Sequence, residues 1–260
     1  MILDDIIVRQ RQALVANPPD EGRLLEAAAE APAPHDFAAA LNDGPTPALI
    51  GECKKRSPSR GLLDRDYDVV DRVRTYASAG ASAISVLTSA EFEGTLADLD
   101  LARGATVIPL LRKDFIVESV QLLEARAHGA DAVLLIARVL EPGLLADLAA
   151  RARVLGLQTL VEVHDDFEVD AALAALPDMI GVNQRDLQTF EVKPDLFARV
   201  AAALPSRVPM VAESGFRTRE DVLAAAAAGA RAVLVGETLM TAEDPGAKAR
   251  ELLGAGVASG

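Results

Sequence analysis

The chain has one cysteine, Cys53, which excludes an intrachain disulfide framework and leaves no cysteine cluster with metal-ligand spacing. That scarcity points to a reducing compartment, and a cytoplasmic protein is the expectation. Basic charge is also scarce: 26 Lys and Arg face 39 Asp and Glu, a net charge of −13. Phosphate backbones and acidic membrane surfaces are held by basic faces, so neither nucleic acid nor membrane is an expected partner. The opening MILDDIIVRQRQ carries Asp4, Asp5 and Arg9 among its apolar residues, unlike the basic-then-apolar order of a signal peptide. No apolar run approaches membrane-spanning length, and there is no low-complexity tract.

What is present is a globular composition, 50% hydrophobic and 25% charged over 260 residues. That length suits one large α/β domain. From Pro45 onward, short β-type runs alternate with alanine-rich stretches of helical period, the pattern of repeated βα units on a parallel sheet. The predicted strands are Ala48 to Lys54, Ala83 to Thr88, Val107 to Lys113, Ala132 to Ile136, Gln158 to Val163, Met179 to Asn183, Pro209 to Glu213 and Ala232 to Gly236. Predicted helices run Val69 to Ala79, Ser119 to Ala127, Leu144 to Val154, Glu168 to Ala175, Leu196 to Ala203 and Glu220 to Ala228. Gly80, Gly129, Gly156 and Gly229 sit where left-handed residues close helices, and Thr218 reads as an N-cap. Eight units close into a (β/α)8 TIM barrel more naturally than into an open sheet. Residues 1–45, with an amphipathic segment from Leu3 to Ala16, read as an N-terminal helical extension of the barrel formed by residues 46–260. The whole is expected to be a single domain, since so small a piece seldom folds alone.

Strands covered on both faces should be continuously apolar. The exceptions lie at C-terminal ends: Glu52 and Lys54, Lys113, Glu162, Asn183 and Glu213. Alternation puts Glu52 and Lys54 on one face and Cys53 on the other. Barrels carry their chemistry at that end, so these groups are expected to converge at the mouth as catalytic residues. The chain has five lysines among its 26 basic residues, and two of them, Lys54 and Lys113, sit at strand ends. A partly buried lysine can exchange a proton where arginine cannot, so an amine is read as required there. Ser57 to Gly61 could hold an anion, while Ser214-Gly215 and Gly236-Glu237-Thr238 follow strands 7 and 8, where barrels bind phosphate. Glu237 would repel phosphate unless its side chain turns away. On residues alone, a sugar-phosphate isomerase, a Schiff-base aldolase using Lys113 or Lys54, and a silent binding barrel stay open.

These motifs resemble, together and specifically, the indole-3-glycerol-phosphate synthase family of tryptophan biosynthesis. The stretches that carry the resemblance are Ile50 to Ser59, Leu111 to Phe115, Leu160 to His164, Ile180 to Leu187, Ala212 to Gly215 and Val235 to Met240. The resemblance implies ring closure, decarboxylation and dehydration of a small phosphorylated substrate, 1-(2-carboxyphenylamino)-1-deoxyribulose 5-phosphate, with neither metal nor organic cofactor. It implies Lys113 as general acid at the ketone oxygen and Lys54 as partner of the anthranilate carboxylate. Glu162 would be the base for dehydration, Glu52 and Asn183 would orient lysines and substrate hydroxyls, and Glu213 would complete the polar network. Ser57, Gly215 and Gly236 would line the phosphate, with Arg185, Ser214 and Glu237 as further substrate contacts and Phe92 and Phe115 as an apolar wall. A monomer or weak homodimer is expected. The loop Thr88 to Gly94 departs from the family's pattern, as does Cys53, which is expected to pack outward against a helix. His128 reads as complementing a helix C-terminus. His164 reads as a solvated strand end rather than a catalytic group.

Overall fold

The computed structural model describes residues 3–43, 47–57, 60–186, 189, 191–205 and 208–255. Pro45, Pro58, Ser59 and Leu187, named above, lie outside them. Eight parallel strands close into a barrel in which each pairs with the next and the last with the first. They are β1 (Ala48–Cys53), β2 (Ala83–Leu87), β3 (Leu110–Lys113), β4 (Ala132–Ile136), β5 (Gln158–Val163), β6 (Met179–Asn183), β7 (Met210–Glu213) and β8 (Ala232–Val235). β1 closes the ring, with Ala48 opposite Ala232 of β8 and Ile50 opposite Ala83 of β2. Three of the eight have the predicted bounds. β3 begins three residues later than expected because Val107 is solvent-exposed and Pro109 offers no N–H to a ladder.

Three helices precede the barrel, α1 (Leu3–Ala16), α2 (Glu21–Glu30) and α3 (Phe37–Asp43). The first matches the amphipathic segment read from the sequence. Outside the strands follow α4 (Val69–Ser78), α5 (Leu96–Ala105), α6 (Val120–Ala127), α7 (Pro142–Val154), α8 (Val169–Ala174), α9 (Asp195–Ala203) and α10 (Arg219–Ala227). The short α11 (Glu237–Met240) and then α12 (Pro245–Leu253) complete the chain. Neither α5 nor α12 was among the predicted helices. Their caps were nevertheless legible: Thr95 forms a capping box with Asp98, and Asp244 caps a helix with proline at its start. Gly80, Gly129, Gly156 and Gly229 all have positive φ, and Thr218 forms a capping box with Asp221. Cys53 is buried beside Tyr67, Tyr76 and Arg72, and burial pushes its thiol pKa up, leaving an inert packing group. No helix among the described residues is long and apolar enough to cross a membrane.

The N-terminal extension is tied to both ends of the barrel. At the bottom, Asp131, 2% exposed, accepts from the backbone N–H of His35 (2.6 Å), Arg103 (2.9 Å) and the N–H of Leu110 (2.7 Å). Gln158 bonds the Ala38 N–H, and Arg126 reaches the Ala31 carbonyl. At the top, Arg9 of α1 pairs with Glu91 at 2.9 Å. Removing Asp131 would strand several buried donors at once, a mechanism worth about 3 kcal/mol. Asp131→Ala is therefore expected to lower the urea unfolding midpoint by that equivalent; an unchanged midpoint would refute this anchoring.

Candidate active site

Apart from Ser85, Arg112, Gln158 and Thr159, the strands are apolar until their C-terminal ends, and the polar ends gather under one opening, a cavity of about 650 Å3 at that end of the barrel. Glu52 from β1 and Lys54 just after it, Lys113 from β3, Asn183 from β6 and Glu213 from β7 all reach it. Lys113 is the hub. Its Nζ stands 3.7 Å from a carboxylate oxygen of each of Glu52, Glu162 and Glu213. Lys54 pairs with the other oxygen of Glu52 at 2.6 Å. Glu162 does not line the cavity. It is 1% exposed and lies beneath the floor, behind the Lys113 ammonium.

Two glycines, Gly181 within β6 and Gly236 just after β8, make this carboxylate packing possible. A Cβ on Gly181 would lie 2.2 Å from Glu213 Oε1, and one on Gly236 would lie 2.1 Å from Glu52 Oε2. Each glycine thus holds open the space that its neighbour's carboxylate fills.

The electrostatics divide the three glutamates. Burial opposes the charge on Lys113, but Glu162 and Glu52 outweigh it and raise the ammonium's pKa above the ordinary lysine value. Burial likewise opposes ionisation of Glu162, yet Lys113 and His164 hold its pKa well below the usual carboxylate range. Glu52 is also lowered, against burial, by Lys54 and Lys113. Glu213 goes the other way: burial and the charge of Glu162 raise its pKa far above the carboxylate range, so it keeps a proton. Adjacent carboxyls with pKa values driven apart are the arrangement used to divide acid and base roles within one site.

Lys113 and Phe115 are set by a buried frame on the outer side of β3. Arg112 donates to Thr88 Oγ1 (3.1 Å), the Gln121 carbonyl (2.6 Å) and Asp114 (2.9 Å). Asp114 in turn accepts from the Phe115 N–H, and the Gln121 side chain bonds Val117, Glu118 and Phe115. These contacts fix the loop after β3 and bring the Phe115 ring against Phe92, with centroids 6.3 Å apart and planes at 16°. Both rings line the cavity, Phe92 from the loop that departs from the family's pattern.

The opposite rim is polar. Ser214 and Gly215 both have positive φ, +67° and +93°, in the turn that follows β7 at the cavity's edge. Ser214 Oγ donates to Asn183 Oδ1 at 2.9 Å, which also accepts the Arg185 N–H. Ser57, Gly215, Gly236 and Glu237 line this side. Glu237 does not turn away, as a phosphate contact would require of it. It faces the mouth, neutralised by Arg60 at 2.8 Å and near Arg185 at 3.7 Å. Arg60 and Thr238, from the two anion-holding stretches read in the sequence, line the cavity too, and the geometry adds Phe216 and places Leu3 and Ile6 of α1 over the mouth. Amphipathy marked α1 as having a face to bury, but nothing local said where. His164 corrects the sequence reading most sharply, being buried at 4% exposure with Nε2 3.1 Å from Glu162 Oε1. Its two-residue offset from Glu162 was the available signal for a shared face.

The family model for indole-3-glycerol phosphate synthase matches residues 3–252 of the chain. Indole-3-glycerol phosphate synthase 2 of Streptomyces coelicolor is 51% identical over 235 residues, covering 90% of this chain and 91% of that protein. Indole-3-glycerol phosphate synthase of Mycolicibacterium vanbaalenii is 50% identical over 262 residues, covering 98% and 94%. Among solved structures, the fold is shared with a mutant tryptophan synthase α-subunit from Pyrococcus furiosus (TM-score 0.61, 16% identity, 80% of this chain and 98% of that one). It is shared too with thiamine phosphate pyrophosphorylase from the same organism (TM-score 0.60, 18% identity, 84% and 96%).

Gly236→Ala is expected to push Glu52, and with it Lys54 and Lys113, out of register. A displacement near 1 Å at reacting groups costs roughly a hundredfold. The variant should lose that factor in kcat/KM on the matched family's substrate while melting within a few degrees of the parent; retained kcat/KM would show the contact to be slack.

Proposed function

Because the chain belongs to the indole-3-glycerol phosphate synthase family, we propose that its ring of lysines and glutamates at the barrel mouth carries out that family's reaction with the following division of labour. The enzyme is a carboxy-lyase of tryptophan biosynthesis acting on 1-(2-carboxyphenylamino)-1-deoxyribulose 5-phosphate. Its phosphate lies against Ser57, Ser214, Gly215 and Gly236, with Arg185 beside Glu237 on the same rim; first-turn N–H groups of a helix such as α11 lack intrahelical acceptors and favour an anion. The anthranilate ring lies along Phe92 and Phe115, and its carboxylate meets Lys54.

The observation that carries this reading is the Lys113 ammonium, held equidistant from three carboxylates at the cavity floor. As the ring carbon bearing the carboxylate attacks the ketone carbon, Lys113 gives its proton to the ketone oxygen, which becomes a hydroxyl. Carbon dioxide then leaves, and its bonding electrons restore the aromatic ring. In the last step the hydroxyl departs as water, assisted by Lys54, while Glu162 takes the proton from the adjacent carbon. Movement of Lys113 toward the substrate oxygen uncovers Glu162, which that ammonium otherwise caps. Glu213 stays protonated, which relieves Lys113 of one of its three negative neighbours and makes it a better acid. Glu52 and Asn183 hold the lysines and the substrate hydroxyls.

The same reading takes the protein to work in the cytoplasm as a monomer or weak homodimer, with residues 1–45 an extension of one barrel domain and no nucleic-acid or membrane partner. A net charge of −13 supports the last point.

Incubation of the protein with this substrate, without added metal, is expected to generate indole absorbance and fluorescence. Lys113→Arg keeps the positive charge but removes the transferable proton, so kcat should fall roughly a thousandfold, within the range measured for general acids. Near-parent turnover would exclude Lys113 as the acid. Glu162→Gln should be comparably slow, and a single-turnover experiment should release carbon dioxide ahead of any indole; simultaneous loss of both products would move Glu162 to an earlier step.

A further inference from the structure

A buried imidazole sacrifices hydration at two nitrogens and is normally compensated by hydrogen bonds. His164 is buried, yet neither of its ring nitrogens makes a hydrogen bond in this structure. The ring is nevertheless aimed. It stands just beyond β5, two residues after Glu162 and therefore on the same face, with Nε2 3.1 Å from Glu162 Oε1. The other oxygen of that carboxylate, Oε2, faces Lys113 and also lacks a hydrogen bond. Glu162 is thus bracketed, with His164 at one oxygen and the substrate side at the other.

The main chain holds the histidine in this place. Its backbone N–H donates to Glu168 Oε2 at 2.7 Å, and Arg138 grips Glu168 Oε1 at 2.7 Å. The position of the ring is fixed by this clamp, leaving its nitrogens free for Glu162.

We propose that His164 is a positioning residue for Glu162, donating its Nε2–H to Oε1 so that Oε2 is presented to the substrate carbon from which the proton is taken. The proposal rests on Glu162 being the base in the reading above. A 3.1 Å separation outside hydrogen-bond alignment needs only a small rotation of either side chain to become a bond, and displacement of Lys113 toward the substrate frees Glu162 to make it. The assignment requires a hydrogen on Nε2, which both the imidazolium and the Nε2–H tautomer of the neutral ring carry. No residue other than Glu162 forms an ion pair with the His164 ring among the described residues.

The test compares His164→Phe, which keeps a planar ring without a donor, with His164→Gln, whose amide nitrogen reaches about as far as Nε2. Losing a hydrogen bond to a charged group predicts a kcat decrease of roughly twentyfold for the phenylalanine variant, with KM changed less than about threefold. The glutamine variant should recover most of that loss, which a purely packing role would not allow. The chain has three histidines, so nitrogen-15 spectra of the intact parent can be assigned directly and should show His164 protonated at Nε2. A folded phenylalanine variant with parent kcat, while Glu162→Gln is inactive, would overturn the proposal, as would an unprotonated Nε2 in the parent. An active Glu162→Gln would instead remove the base assignment on which the proposal stands. Should phenylalanine prevent folding, the spectrum of the parent decides.

Discussion

Lys113 sits at the floor of the cavity with three carboxylates at 3.7 Å, and the site depends on how that charge is balanced. Transfer of ions from water into a protein interior costs several kcal/mol apiece, recovered only when opposite charges and hydrogen bonds are supplied in good geometry. Two ammoniums, Lys54 and Lys113, stand against three carboxylates, Glu52, Glu162 and Glu213. The proton kept by Glu213 makes the count two against two. A neutral cluster can be buried, whereas a single substitution that leaves one member unpaired cannot be absorbed without rearrangement. The glycines at 181 and 236 belong to the same balance, because carboxylates could not approach so closely if those positions carried side chains.

Rigidity behind the reacting groups comes from outside the barrel. The Arg112, Asp114 and Gln121 frame fixes the loop after β3, and with it both the amine and an aromatic face of the cavity. The Glu168 and Arg138 clamp does the same beyond β5. The first frame is buried and bonded mainly to backbone, whereas in the second a buried Glu168 joins one backbone N–H to the partly exposed Arg138. The mouth is built differently. Its rim pairs, Arg60 with Glu237 and Lys55 with Glu93, are partly exposed and individually weak, suited to exchanging partners when an anionic ligand arrives. In an otherwise acidic protein, Lys54, Lys113, Arg60 and Arg185 bring positive charge to this one cavity.

The order of elements, the closing glycines and the polar strand ends were legible in the sequence because each is a local matter: the period of apolar residues, a backbone angle, or one side chain placed against the pattern of its strand. Six strand-end groups in the same direction already described a mouth, and family motifs gave them provisional roles. α5 and α12 escaped the reading although Thr95 and Asp244 announced their starts. The solvent-facing expectation for His164 failed for a different reason. A strand end is normally exposed, and nothing within a few residues says that this one is covered.

By itself, then, the sequence determined the number and kind of βα units, the acidic surface and the residues able to do acid–base chemistry, since these follow from residue type and spacing. Only the closed barrel decided that one lysine would face glutamates from β1, β5 and β7, residues 52, 162 and 213, because that convergence depends on strand register around a ring and not on distance along the chain. Tertiary structure also decided which glutamate keeps its proton, because a pKa is set by burial and by neighbouring charges that arrive from distant strands.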